Sequence, residues 1–262
     1  MIAVPGVRIG VMLESFRAPV MESLDLAVRV GATGFQAYVS GGELHPAKLT
    51  ARDREDFVKL VKGKGLEIAA ICGEVGGFGD ASRNADLVAQ SKSFLDLSVD
   101  LGVRIVTGHI GVIPDDDASP EWSAIAEALE EVGRHGDSVG AVYACETGPE
   151  DPALMRRFID ELDTRSVKIN YDPANLVMLG FDPIRGVEHL GDLVVHTHAK
   201  DGVRHPGGRP EEVALGTGGV PFAEWVAALR AKGYDWYYTI EREVGNNPYA
   251  DIEAAAKFLA TL

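Results

Sequence analysis

Eight short apolar runs alternate with eight longer amphipathic ones along this 262-residue chain. The apolar runs are VRIGVML (7–13), GFQAYVS (34–40), LEIAAICGE (66–74), RIVTGHI (104–110), AVYACETG (141–148), VKINYDPAN (167–175), LVVHTHAKD (193–201) and WYYTIERE (236–243). Most are continuously apolar instead of alternating, as expected of parallel strands buried on both faces. Helices are predicted between them over 18–31, 51–65, 83–102, 119–136, 149–162, 182–191, 221–233 and 248–262. Their ends carry start and stop signals. Ser119 precedes Pro120 and an acidic residue, Gly31 follows the first helix, and 51–65 has its acids early and its lysines late. Eight strand–helix units in this length predict a (β/α)8 TIM barrel spanning 1–262 as one domain. An open doubly wound sheet is the alternative, but no GxGxxG opens the chain.

A barrel of this kind collects its functional groups at the C-terminal ends of its strands. Glu74 ends the third run, His109 the fourth and Glu146 the fifth. The sixth ends in Asp172 with Asn175 after it. The seventh carries His196 and His198, then Lys200 and Asp201, and the eighth carries Glu241 and Glu243. Lone buried carboxylates are costly. A divalent cation shared by Glu146, Asp172, His198 and Glu241, from four consecutive strands, would remove that cost. Three carboxylates and one imidazole suit Mn²⁺, Mg²⁺ or Co²⁺. The seventh run poses its own question, because His196 and His198 point to one face of their strand. His198 fits the ligand order, and His196 falls one layer deeper as packing or support. Lys200 continues that face towards a substrate. Asp201 and Asp182 read as structural caps, and Glu243 either shares the face of Glu241 or pairs with Lys200. The 202–220 segment, including the glycine-rich LGTGG, is expected to lie over the mouth and act as a lid.

Charge and cysteine usage exclude other classes. The formal net charge of −15 repels nucleic-acid phosphates, and no Lys/Arg-rich run offsets it. Cys72 and Cys145 sit in apolar runs and are expected to be buried free thiols. The N-terminal MIAVPGVRIG lacks the pattern of a secretory signal, and no apolar stretch is long enough to span a membrane. A cytoplasmic, soluble protein is expected.

CETG, NYDPANLVMLGFDP, VVHTHAKDG and YTIERE resemble the sugar phosphate isomerase/epimerase family of the xylose-isomerase-like TIM-barrel superfamily, with the resemblance covering most of the chain. It implies one divalent metal ion, Mn²⁺ first with Mg²⁺, Co²⁺ or Zn²⁺ as alternatives, held by Glu146, Asp172, His198 and Glu241. It also implies that Glu146 and Glu241 act as acid and base on opposite faces of a carbohydrate substrate, that Arg204, six residues after His198, contacts that substrate, and that the protein is a homo-oligomer. Many relatives have a histidine where this chain has Asn175, which can hydrogen-bond a hydroxyl but cannot shuttle protons at neutral pH.

The implied reaction is metal-assisted proton abstraction next to a carbonyl of a sugar or keto-sugar through an enediolate, giving isomerisation or epimerisation. His109, Asn175, Lys200 and Arg204 are the candidate substrate contacts. A lyase of the same superfamily, inosose-dehydratase-like or eliminating a substituent from a keto-sugar glycoside, shares the opening step. More remote alternatives are an apurinic endonuclease and a non-catalytic sugar-binding barrel.

Overall fold

The computed structural model describes residues 6–205 and 207–262. Residues 1–5, which head the segment read above for a signal, and Pro206 in the expected lid lie outside the described residues. The first half of the chain contains β1 (Arg8–Met12), α1 (Val20–Arg29), β2 (Gly34–Tyr38), α2 (Ala51–Gly63), β3 (Glu67–Cys72), α3 (Ala81–Leu101), β4 (Ile105–Gly108) and α4 (Pro120–Val139). There follow β5 (Val142–Glu146), α5 (Pro152–Asp160), β6 (Val167–Tyr171), α6 (Pro173–Leu179), α7 (Pro183–Leu190) and β7 (Val194–Ala199). The chain then forms β8 (Asp201–Arg204), β9 (Pro210–Val213), α8 (Phe222–Ala231), β10 (Tyr237–Ile240) and α9 (Pro248–Leu259).

Eight parallel strands close in the order β1-β10-β7-β6-β5-β4-β3-β2. Closure gives the predicted (β/α)8 barrel and rules out the open sheet. The apolar runs behave as their composition requires. Val11, Phe35, Val106, Tyr143, Ile169 and Ala199 are all inaccessible to solvent, and the helices bury one stripe each against them. Caps fix the helix starts. Thr50 and Asp53 form a reciprocal capping box on α2, Ser119 accepts from Trp122 N on α4, and Asp182 accepts from Ile184 N and Arg185 N on α7. Cys72 and Cys145 are buried and free. Among the described residues no helix is long and apolar enough to cross a membrane.

Three local expectations change. The strand ladders stop earlier than the apolar runs suggest, so Glu74, His109, Asp172 and Glu241 stand just past the last paired residue. The sixth run is the clearest case. Its strand ends at Tyr171, and Asp172 turns the chain into α6, a helix the sequence reading merged into the strand. The 202–220 segment is also more ordered than a flexible lid. β8 and β9 pair antiparallel, and Asp201, instead of capping a helix, accepts hydrogen bonds from Gly202 N, Gly216 N, Gly218 N and Val220 N (2.8–3.1 Å). One buried carboxylate thus ties both ends of the segment together. The far strand is held by Glu212, which accepts from Arg242 Nη1 at 2.6 Å.

Candidate metal centre

Four side chains converge at the C-terminal mouth of the barrel. One ligand atom from each of Glu146, Asp172, His198 and Glu241 lies within 4.8 Å of every other, and all four residues are buried. Glu146 closes β5, Asp172 follows β6, His198 lies in β7 and Glu241 follows β10. The parallel register brings these strand ends to one level.

Each of the four side chains is oriented by its neighbours. Asp172 uses Oδ1 as the cap of α6, accepting from Ala174 N (2.8 Å) and Asn175 N (3.1 Å). Its backbone is fixed by Thr147, whose Oγ1 accepts from Asp172 N (2.8 Å) and donates to Asp172 O (2.9 Å). Glu146 accepts from Asn175 Nδ2 at Oε1 (3.1 Å) and from Asn170 Nδ2 at Oε2 (3.3 Å). Glu241 Oε2 lies 3.2 Å from His198 Nδ1 and accepts from Lys200 Nζ at 3.1 Å. Asp172 Oδ2 and His198 Nδ1 are buried and have no hydrogen-bond partner. Such orphaned polar atoms are expensive unless something else satisfies them. Here they point into a cluster of three carboxylates and one imidazole, a donor set that fits a hard or borderline divalent cation.

The charge balance agrees. Burial opposes a charge on His198, yet Glu241 and Glu146 outweigh it and raise the imidazole's pKa. Burial likewise opposes ionisation of Glu241 and Glu146, but His198 leads the groups that hold both below the usual carboxylate range. Burial pushes Asp172 up to about 7, with Lys200 offsetting part of the effect. Without a cation, proton and ammonium charge from His198 and Lys200 stabilise the carboxylates.

The outer residues divide. Lys200 is only 4% exposed and bridges Glu241 and the rim residue Glu243, the latter at 2.5 Å. The pairing of Glu243 with Lys200 therefore holds. His109 is half-exposed at the mouth. Its Nδ1 lies 2.8 Å from Glu74 Oε2, which also accepts from His109 N (3.0 Å), and its Nε2 lies 3.7 Å from Glu146 Oε1. Glu74 Oε1 accepts from Gly76 N at 2.6 Å, so the carboxylate is held at both oxygens. The hydrogen bond to Glu74, helped by the charge of Glu146, pushes His109 up to about 9. Asn175 spends its amide nitrogen on Glu146 and on Thr147 O. Arg204 is exposed and lies over the left-handed Gly180 (φ 91°), donating from Nη1 to Leu179 O at 2.6 Å. That contact straps the β8–β9 hairpin to the end of α6, and no described hydrogen bond or ion pair joins Arg204 to the four ligands.

His196 is wholly buried, and its Nε2 lies 2.8 Å from Gln36 Oε1. Gln36 was missed in the sequence, as were Asn170 and Thr147. The one signal for Gln36 is a lone amide inside the otherwise apolar GFQAYVS.

A family profile described as "Xylose isomerase-like TIM barrel" matches residues 24–262. An inosose dehydratase of Lacticaseibacillus casei is 27% identical over 161 residues, covering 53% of this chain. The chain thus spans about half the length (54%) of that curated relative. Among solved structures, a xylose isomerase domain protein from Planctomyces limnophilus superposes with a TM-score of 0.84 at 24% identity, covering 98% of this chain and 96% of its own. L-ribulose 3-epimerase superposes at 0.76 and 19% identity, covering 97% and 94%. At these identities the superpositions speak to the fold.

Proposed function

The chain belongs to the xylose isomerase-like TIM barrel family, and from that premise we propose that it is a divalent-metal-dependent isomerase or epimerase of a sugar or keto-sugar. The observation that carries the reading is the buried ring of Glu146, Asp172, His198 and Glu241, in which Asp172 Oδ2 and His198 Nδ1 make no hydrogen bond and have charged neighbours instead, Lys200 Nζ at 3.7 Å and Glu241 Oε2 at 3.2 Å respectively. A cation bound there, with Mn²⁺ the first choice, would polarise a substrate carbonyl and acidify the neighbouring C–H. Glu146 and Glu241 are the acid–base pair. One takes the α-proton, and the other returns a proton to the opposite face or to the adjacent carbon. Asn175 and Asn170 hold Glu146 in place, and Lys200 does the same for Glu241. Lys200 and His109 offer hydrogen-bond donors to substrate oxygens, while Asn175 offers its carbonyl oxygen. Arg204 is assigned to the substrate only by the resemblance. Its contact with Leu179 O supports a strapping role instead.

A lyase reading is favoured by one specific observation, the similarity to inosose dehydratase. The opening proton abstraction is the same, but the enediolate then expels a β-substituent. Metal-reconstituted protein incubated in D₂O with ketoses, an inosose and keto-sugar glycosides separates the two. Deuterium entering recovered or epimerised sugar without loss of a substituent supports the isomerase. Release of water or aglycone supports the lyase. Failure to act on any of them with metal bound argues against both. Homo-oligomerisation, implied by the resemblance, is checked by sedimentation velocity.

A further inference from the structure

We propose that Gln36 is a positioning residue for the metal centre, selecting Nδ1 of His198 as the nitrogen that meets the cation. The inference rests on the metal-site reading above. Gln36 lies in β2, on the wall of the barrel, and is completely buried. Its Oε1 is 2.9 Å from Nε2 of His198 and 2.8 Å from Nε2 of His196. Its Nε2 is 2.6 Å from Thr107 Oγ1 in β4.

The orientation of one amide decides which nitrogen of His198 is available. With Oε1 facing the histidines, both imidazoles donate from Nε2, so that when His198 is neutral its one proton stays on Nε2 and the Nδ1 lone pair is free for a cation. Turned over, the amide would present N–H to both rings, require them to accept at Nε2, and place the proton of neutral His198 on Nδ1. Two features hold the first orientation. Thr107 Oγ1, 2.6 Å from Gln36 Nε2, gives the amide N–H an acceptor on the side away from the histidines. His196 occupies the second lone pair of Oε1, so an inverted amide would have to be accommodated by two rings at once. Asn170 Nδ2 lies 3.2 Å from the same His198 nitrogen, but with that proton committed to Gln36 its hydrogen bond goes to Glu146. His196 thus has a task. It locks the residue that orients its neighbour.

A hydrogen-bond partner on the far nitrogen of a metal-bound histidine fixes ring and tautomer, and its loss typically weakens metal binding about 10–100-fold. The test is Mn²⁺ titration followed by electron paramagnetic resonance of the free ion, with circular dichroism and thermal melting to certify the fold. Gln36→Met keeps the size but removes the acceptor, and should weaken Mn²⁺ by about 10–100-fold. Gln36→Glu keeps an acceptor oxygen and should bind close to wild type. Thr107→Val leaves Gln36 in place but unfastens it, and should show a smaller loss in the same direction. Unchanged affinity in Gln36→Met, or an equal loss in Gln36→Glu, would overturn the assignment while leaving the metal centre standing. A wild-type protein that takes up no Mn²⁺ would overturn the metal centre and this inference together.

Discussion

Replacing Glu150 by glutamine should stabilise the protein above neutral pH and have little pH-dependent effect in acid. Glu150 stands in the turn between β5 and α5, only 6% exposed, and neither carboxylate oxygen has a hydrogen-bond partner. Burial pushes its pKa up to about 7, and the nearby backbone N–H groups of Glu150 and Ile113, together with His109, offset this only in part. The sign follows from proton counts. Between the ordinary carboxylate value of 4.5 and about 7, the folded protein keeps a proton that the unfolded chain has released, so stability falls as pH rises through this window. At about 1.4 kcal/mol per tenfold difference in proton affinity, the loss approaches about 3 kcal/mol by pH 8. Glutamine cannot titrate and is spared it. Chemical denaturation of wild type and Glu150→Gln in the presence of EDTA, at pH 4.5 and pH 8, reads the difference directly. The variant should gain about 3 kcal/mol on wild type between the two conditions. A gap of the same size at both pH values would show that Glu150 is already charged in the folded state and refute the reasoning. Comparing one variant at two pH values cancels any fixed packing cost of the amide.

Glu146→Gln and Glu241→Gln should each lower kcat by about 10²–10⁴-fold or more, because under the proposed mechanism each removes a proton-transfer group together with a metal ligand. Metal-loaded rate measurements would check this, and near-wild-type turnover in either would remove that residue from the acid–base pair. Chelation of the wild-type protein should abolish activity and lower its thermal midpoint, with Mn²⁺ restoring both, since a ligand that binds only the folded state stabilises it. Glu74→Gln should destabilise the metal-free protein most below about pH 6.5. The raised His109 pKa means that the charged pair stabilises below the unfolded histidine value and that this contribution fades as pH rises through about 9. Denaturation at pH 6 and pH 9.5 should show the deficit shrinking. Arg204→Ala should leave KM within about threefold of wild type while making the β8–β9 hairpin more susceptible to proteolysis, whereas a substrate contact to a charged group would cost more than about tenfold.

The barrel was legible because its signal is local. The IAAIC of the third run is apolar and buried at every position from Ile68 to Cys72, and the caps at Ser119 and Asp182 are written within three residues of the helices they start. The four-residue cluster was legible for a related reason. Glu146 and His198 lie at the ends of apolar strands and Asp172 and Glu241 just past them, and a parallel barrel brings such ends to one level. The exact strand ends were less legible. Asp172 reads equally well as the last residue of a strand or the cap of a helix, and its geometry uses one oxygen for the cap while sparing the other for the cluster.

The chain's order of residues thus determined the fold class, the end of the barrel that carries chemistry and the four groups that meet there. Which neighbours orient those groups was decided only by closing the barrel. Gln36 meets His196 and His198 across 160 and 162 positions of sequence, and Glu74 reaches His109 across 35. Arg204 is drawn to a helix end instead of to the four ligands. Periodicity and capping depend on a few adjacent residues, so they survive in a linear reading. A hydrogen bond across the barrel depends on register, closure and rotamer together, and no local pattern records it.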